Sequence, residues 1–136
     1  MIHGRVYEDA EHFHVDLIGK NQSGDSSIQD VALHFESRFN ESKNVVNSFI
    51  NGEWGSEEHG LLGLKPGQEF KLDIVLLKNE SVIWINSEKI HRYAHRVPAN
   101  FINQLLIDGD VILYKILYGG KYLTVPYEKD FPDGHF

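Results

Sequence analysis

Residues 69–85 read E-F-K-L-D-I-V-L-L-K-N-E-S-V-I-W-I, and this stretch decides the fold class. Side chains of an extended strand point alternately to its two faces, so Phe70, Leu72, Ile74 and Leu76 share one side. Asn79 and Glu80 supply a polar turn, and Val82, Ile83, Trp84 and Ile85 follow as a second apolar run. The stretch therefore predicts a β-hairpin.

The same pattern recurs on both sides of the hairpin. From His12 to Ile18, the apolar Phe13, Val15 and Leu17 alternate with His12, His14 and Asp16, as in a strand with one buried face. Val31–Phe35, Val45–Ile50, Gln104–Ile107 and Val111–Leu117 are rich in β-branched or long apolar residues and are bounded by Gly, Asn, Asp or Pro. No segment carries a helical period. Many short strands separated by turn signals predict an all-β chain of two packed antiparallel sheets.

Composition narrows the function classes. A length of 136 residues suits one compact domain, and a hydrophobic content of 41% is ample for a core. The absence of cysteine excludes disulfides and thiolate metal sites, so packing must hold the fold. A net charge of −7 argues against nucleic acid, because a phosphate backbone needs a basic partner surface. Met1–Ala10 carries charges and a glycine instead of an apolar run, and no stretch approaches the length of a bilayer crossing. The expectation is a soluble chain with no membrane insertion and no conventional export signal, cytoplasmic or secreted by a non-classical route. On that basis the sequons at Asn21, Asn40 and Asn79 are expected to stay unmodified.

The densest polar and aromatic chemistry lies between His34 and His59. His34, Glu36 and Arg38 recur at spacing two and share one strand face. A second strand offers Asn47, and Trp54 follows a turn containing Asn51 and Gly52, with Glu57 three residues on. These groups can meet at a shallow groove. His12 with His14, and His91 with His95, have spacings that suit metal ligands, but no third ligand is evident in sequence, and neither a metal nor a cofactor is expected. Trp84 sits within an apolar strand and is expected to pack there rather than to serve as a second binding platform.

The stretches H-F-E-S-R-F from His34, V-V-N-S from Val45 and W-G-S-E-E-H from Trp54 resemble, in order and spacing, the carbohydrate-recognition signature of galectins. The resemblance implies a jelly-roll sandwich whose concave sheet forms the sugar groove, and a lectin that binds β-galactosides without changing them. It implies that His34 and Arg38 hold the galactose 4-hydroxyl, Asn47 and Glu57 the 6-hydroxyl, and Trp54 the apolar face of the sugar, with Val45 lining the groove. Partners would be glycans on glycoproteins or glycolipids, with a homodimer or a tandem domain providing multivalency.

Two positions depart from the family pattern. Glu36 stands where galectins usually carry asparagine, and His59 where many carry an arginine that contacts the second sugar. With His59 neutral, the groove is two units more negative than the pattern, which disfavours anionic sugars. Glu36, Glu57 and Glu58 invite comparison with a glycosidase carboxyl pair, but the resemblance assigns Glu57 to binding. A galectin-fold interaction scaffold with lost or altered sugar specificity is the alternative, with Glu36 as its best support. Finally, residues 121–136 resemble the segment that normally opens a galectin domain, while Met1–Gly4 begins midway through the strand that should follow. Either a circular permutation or a cut out of phase with a tandem repeat accounts for this order, and in both cases 121–136 is expected to pair with a sheet.

Overall fold

The computed structural model describes residues 1–117, 119 and 134–136. Among these, the backbone forms twelve strands, numbered here in chain order, and one 3-10 turn, and every strand pairing is antiparallel. The all-β expectation holds. No helix among the described residues is long and apolar enough to cross a membrane. The chain divides into two compact units, each built on one sheet.

The first unit comprises residues 1–9, 63–94 and the described residues from 111 onward. Its sheet runs in the order β11 (Val111–Ile116), β1 (Ile2–Val6), β7 (Glu69–Leu76), β8 (Glu80–Ile85) and β9 (Glu88–Ala94). The hairpin read from the sequence is β7–β8, closed by the Leu77 N–H donating to the Glu80 carbonyl at 2.8 Å. Phe70, Leu72, Ile74 and Leu76 are buried as their alternation predicts. Trp84 is half-buried, packs with Leu77 against Val75 and Val82, and lies under the Lys89 ammonium. Gly4 is required where β1 approaches β11, because a Cβ there would meet the Ile112 carbonyl oxygen at 2.4 Å.

The two ends of the chain share one strand position in this sheet. The short strand β12 (Gly134–His135) pairs with β7 at Leu76 and Val75, and Phe136 exchanges two backbone hydrogen bonds with Ile74. The next β7 residue, Asp73, has its carboxylate 3.8 Å from the Met1 amine, and Ile2 pairs with Leu72. Residues 134–136 and 1–5 thus follow β7 in a single unbroken register. Of the segment expected to join a sheet, 121–133 lie outside the described residues.

The second unit, 10–62 with 95–110, carries the polar and aromatic cluster. Its sheet runs β10 (Ile102–Gly109), β2 (His12–Lys20), β3 (Gln29–Arg38), β4 (Lys43–Ile50) and β5 (Glu53–Trp54), with β6 (Glu58–Leu61) pairing the other half of β4. On β2, Phe13, Val15 and Leu17 are buried, and on β3 Leu33, Phe35 and Ser37 are buried, so the intervening polar residues share the other face. A bulge interrupts β3. Its register slips by one residue against β2 next to Leu17, and against β4 between Val31 and His34. Ala32 lies in this slip, and its carbonyl accepts from the Ser48 hydroxyl at 2.7 Å. Such a bulge re-aims the side chains that follow it, here His34, Glu36 and Arg38.

Candidate functional site

Strand register sets the polar face of the second sheet in rows. His34 on β3 is opposed by Asp16 on β2 and Asn47 on β4. One alternation along, Glu36 is opposed by His14 and Val45, and Val45 in turn by His59 on β6. The third row sets Arg38 between His12 and Lys43. Directly opposed side chains of an antiparallel pair sit close enough to interact, so these rows form one connected polar surface.

Trp54 enters from a reversal at the end of β4. Asn51 and Gly52 both have positive φ, 53° and 79°, as a two-residue hairpin turn demands. The turn is pinned below by buried Asp30, whose carboxylate accepts from the Asn51 N–H at 3.1 Å and from the Asn21 side-chain amide at 2.9 Å. β5 then pairs Trp54 with Phe49. The indole is 53% exposed and lies 4.9 Å from the His34 ring, edge to face, and 5.1 Å from the Phe49 ring, tilted. An exposed tryptophan held by contacts with two rings offers an apolar platform beside polar groups.

Hydrogen bonds orient the rest. Asp16 accepts from His34 Nδ1 at 2.5 Å, so Nε2 is the nitrogen that can accept whenever the ring is neutral. The Arg38 guanidinium donates through Nε to Glu36 and through Nη2 to Glu57 at 2.9 Å, and Glu41 lies 3.5 Å from Nη1. Glu57 also meets His59 Nε2 at 3.0 Å. These bonds, from His59 first and Arg38 second, hold the Glu57 carboxyl below its ordinary pKa, and the bond to Glu36 is the main cause that raises Arg38 above its own.

The structure brings His34, Glu36, Arg38, Asn47, Trp54, Glu57 and His59 together in the second unit. Val45 is in register with them on the same face but fully buried, so its neighbours in the row cover it and it offers no open surface. Asn47 is 4% exposed: its amide donates to the Gly55 carbonyl at 2.9 Å, and its Oδ1 accepts from the Ser48 N–H and from Arg96 Nη1. Arg96 also donates to the Ser56 carbonyl at 2.7 Å and lies 3.5 Å from the Glu58 carboxylate, so it clamps the segment that carries Glu57 and leads into β6. The sequence reading missed Asp16 and Arg96. Asp16 had a signal, since it alternates on β2 with His12 and His14, but its partner follows only from register. Arg96 comes from a distant loop with no local pattern to mark it.

The family model for galactoside-binding lectins matches residues 1–118, a span that contains all the groups described above. The chain belongs to the galactoside-binding lectin family, the galectins. A 32 kDa β-galactoside-binding lectin of Haemonchus contortus is 39% identical over 98% of this chain and 47% of its own length. A lectin of the same description from Caenorhabditis elegans is 37% identical over the same shares. The chain therefore spans about half the length of these curated relatives. Among solved structures, a galectin of Caenorhabditis elegans superposes with a TM-score of 0.74 at 23% identity, covering 83% of this chain and 75% of that one, a likeness of fold.

Proposed function

We propose that this galectin domain binds β-galactosides of the lactose or N-acetyllactosamine type on the polar face of the second sheet and releases them unchanged. The observation that carries the reading is the exposed Trp54 indole fixed beside His34, on the face that also presents Arg38. Galactose has an axial 4-hydroxyl, which leaves a patch of C–H groups together on its opposite side, and an indole stacks on such a patch. In this reading the 4-hydroxyl donates to His34 Nε2 and accepts from a guanidinium N–H of Arg38. An epimer with an equatorial hydroxyl leaves both groups badly paired, which is how a polar site discriminates. Asn47 and Glu57 would take the 6-hydroxyl, Glu36 would accept from a sugar hydroxyl, and His59 would face the second sugar.

Electrostatics supports binding rather than hydrolysis. A glycosidase needs one carboxylic acid whose pKa is raised so that it can protonate the leaving group. Glu57 is shifted the opposite way, and Glu36 is tied to the same guanidinium. A shallow site of this kind binds a single disaccharide with a dissociation constant of ~0.1–1 mM, so useful avidity on glycoproteins or glycolipids would come from a dimer or a second domain.

A second reading, an interaction scaffold with lost or altered sugar binding, is favoured by one feature. Three carboxylates, Glu36, Glu41 and Glu57, already surround Arg38 and compete with a sugar for its donors. Calorimetric titration of lactose, with maltose as control, separates the two. Saturable binding of lactose alone supports the galactoside reading, whereas a folded protein that binds neither overturns it in favour of the scaffold.

A further inference from the structure

We propose that His12, His14 and Glu36 form a site for a divalent transition-metal ion of the zinc type. The three residues offer two imidazoles and one carboxylate whose ligand atoms all lie within 4.8 Å of one another. The sequence showed only the His-x-His pair; β2–β3 register supplies the third ligand, setting Glu36 opposite His14 and one alternation from His12. Glu36 is also a residue where this chain departs from the galectin signature, and ligation gives that departure a chemical role.

The geometry around the three groups suits ligation. Glu36 divides its oxygens: Oε1 accepts from Arg38, and Oε2 faces His12 Nδ1 at 3.5 Å. Arg38 therefore fixes the carboxylate while one oxygen stays available to a metal. Asp16 lies 3.8 Å from His14 Nε2, where it can orient that ring as carboxylates commonly do behind metal-bound imidazoles. Metal bonds of about 2.0–2.2 Å require the donors to close in. His12, whose side chain is half exposed, can rotate to meet the better-held His14 and Glu36. The neighbourhood is acidic, with Glu41 and Glu57 on Arg38 and Asp16 beside His14, which favours a cation. An open hollow lined by Glu11, His12, Glu36, Arg38, Asn40 and Glu41 gives solvent access to Glu36 and His12. Two imidazoles and a carboxylate select Zn²⁺, Co²⁺, Ni²⁺ or Cu²⁺ over Mg²⁺ and Ca²⁺, and three protein ligands leave positions for water.

The experiment is calorimetric titration of ZnCl₂ into the untagged 136-residue chain at neutral pH, with Co²⁺ absorption as a spectroscopic check on nitrogen ligation. The expected result is one equivalent of zinc bound, and an affinity that falls as pH is lowered because protons compete with the metal for its ligands. Glu36→Gln, His12→Ala and His14→Ala should each weaken binding by at least ~10-fold, while His91→Ala leaves it unchanged. Glu36→Gln keeps the side-chain shape and so remains informative even where a histidine variant loses its fold. No zinc uptake by the folded wild type overturns the proposal. So does wild-type affinity in both Glu36→Gln and His14→Ala, which would put the metal elsewhere.

Discussion

Replacing Trp54 by alanine tests the groove where its energetics are simplest. An indole side chain presents at most ~250 Å² of surface. Since Trp54 is 53% exposed in the folded chain, roughly 130 Å² remains open for a ligand. A pyranose ring stacked on it covers about half of that area, and ~65 Å² removed from water is worth ~1.6 kcal/mol at the usual coefficient. The lactose dissociation constant should therefore rise about 15-fold in Trp54→Ala. The fold should hardly notice, because the lost contacts are those with His34 and Phe49 at the sheet's surface, and surface substitutions usually cost under ~1 kcal/mol. Chemical-shift titration by NMR reads affinities in this weak range directly, and thermal denaturation of the same sample reports stability. Lactose binding within twofold of wild type in a folded variant would refute the placement of the sugar on this indole.

Three further outcomes are expected. Glu36→Asn removes one negative charge from the groove, so the preference for neutral over sulfated or sialylated galactosides on a glycan array should shrink; an unchanged ratio would remove Glu36 from the sugar's surroundings. Glu57 has a folded pKa below its ordinary 4.5, so its bonds to His59 and Arg38 stabilise the fold above that value and lose this contribution as pH falls through the lowered folded value. Glu57→Gln should accordingly flatten the acid limb of the stability profile, and parallel profiles in urea denaturation would contradict the shift. Joining Phe136 to Met1 by a peptide bond should preserve the fold and stabilise it by about 2–4 kcal/mol, typical of a cross-link over a long loop, because the two ends already follow β7 in one register. A cyclised chain that melts earlier than the linear one would show that the register is not continuous.

How much of this was legible in the sequence depended on how each strand meets solvent. β2 and β7 alternate apolar residues at buried positions, so alternation found them, and β8 showed itself as a short continuous apolar run after a polar turn. β9 was missed because Tyr93 alone of Glu88–Ala94 is buried, and a strand with one buried residue has no period to detect. β4 obscured its pattern in another way: Asn44 to Ser48 are all buried, and the polar members are satisfied by bonds such as Ser37 to Asn44 and Asn47 to Gly55. For the site, sequence spacing put His34, Glu36 and Arg38 on one face because that rule needs only one strand. What faces them required the bulge at Ala32, which shifts β3 by one residue against both neighbours. A slip of one residue exchanges the two faces of a strand, so neither the Asp16–His34 pair nor the His12–His14–Glu36 cluster could be read from the linear chain. The resemblance to galectins named the groups that meet a sugar, and the register supplied their supporting partners. Asp16, which sets the His34 tautomer, and Arg96, which holds Asn47 and the segment bearing Glu57, determine what the named residues can offer a ligand while belonging to no motif of their own.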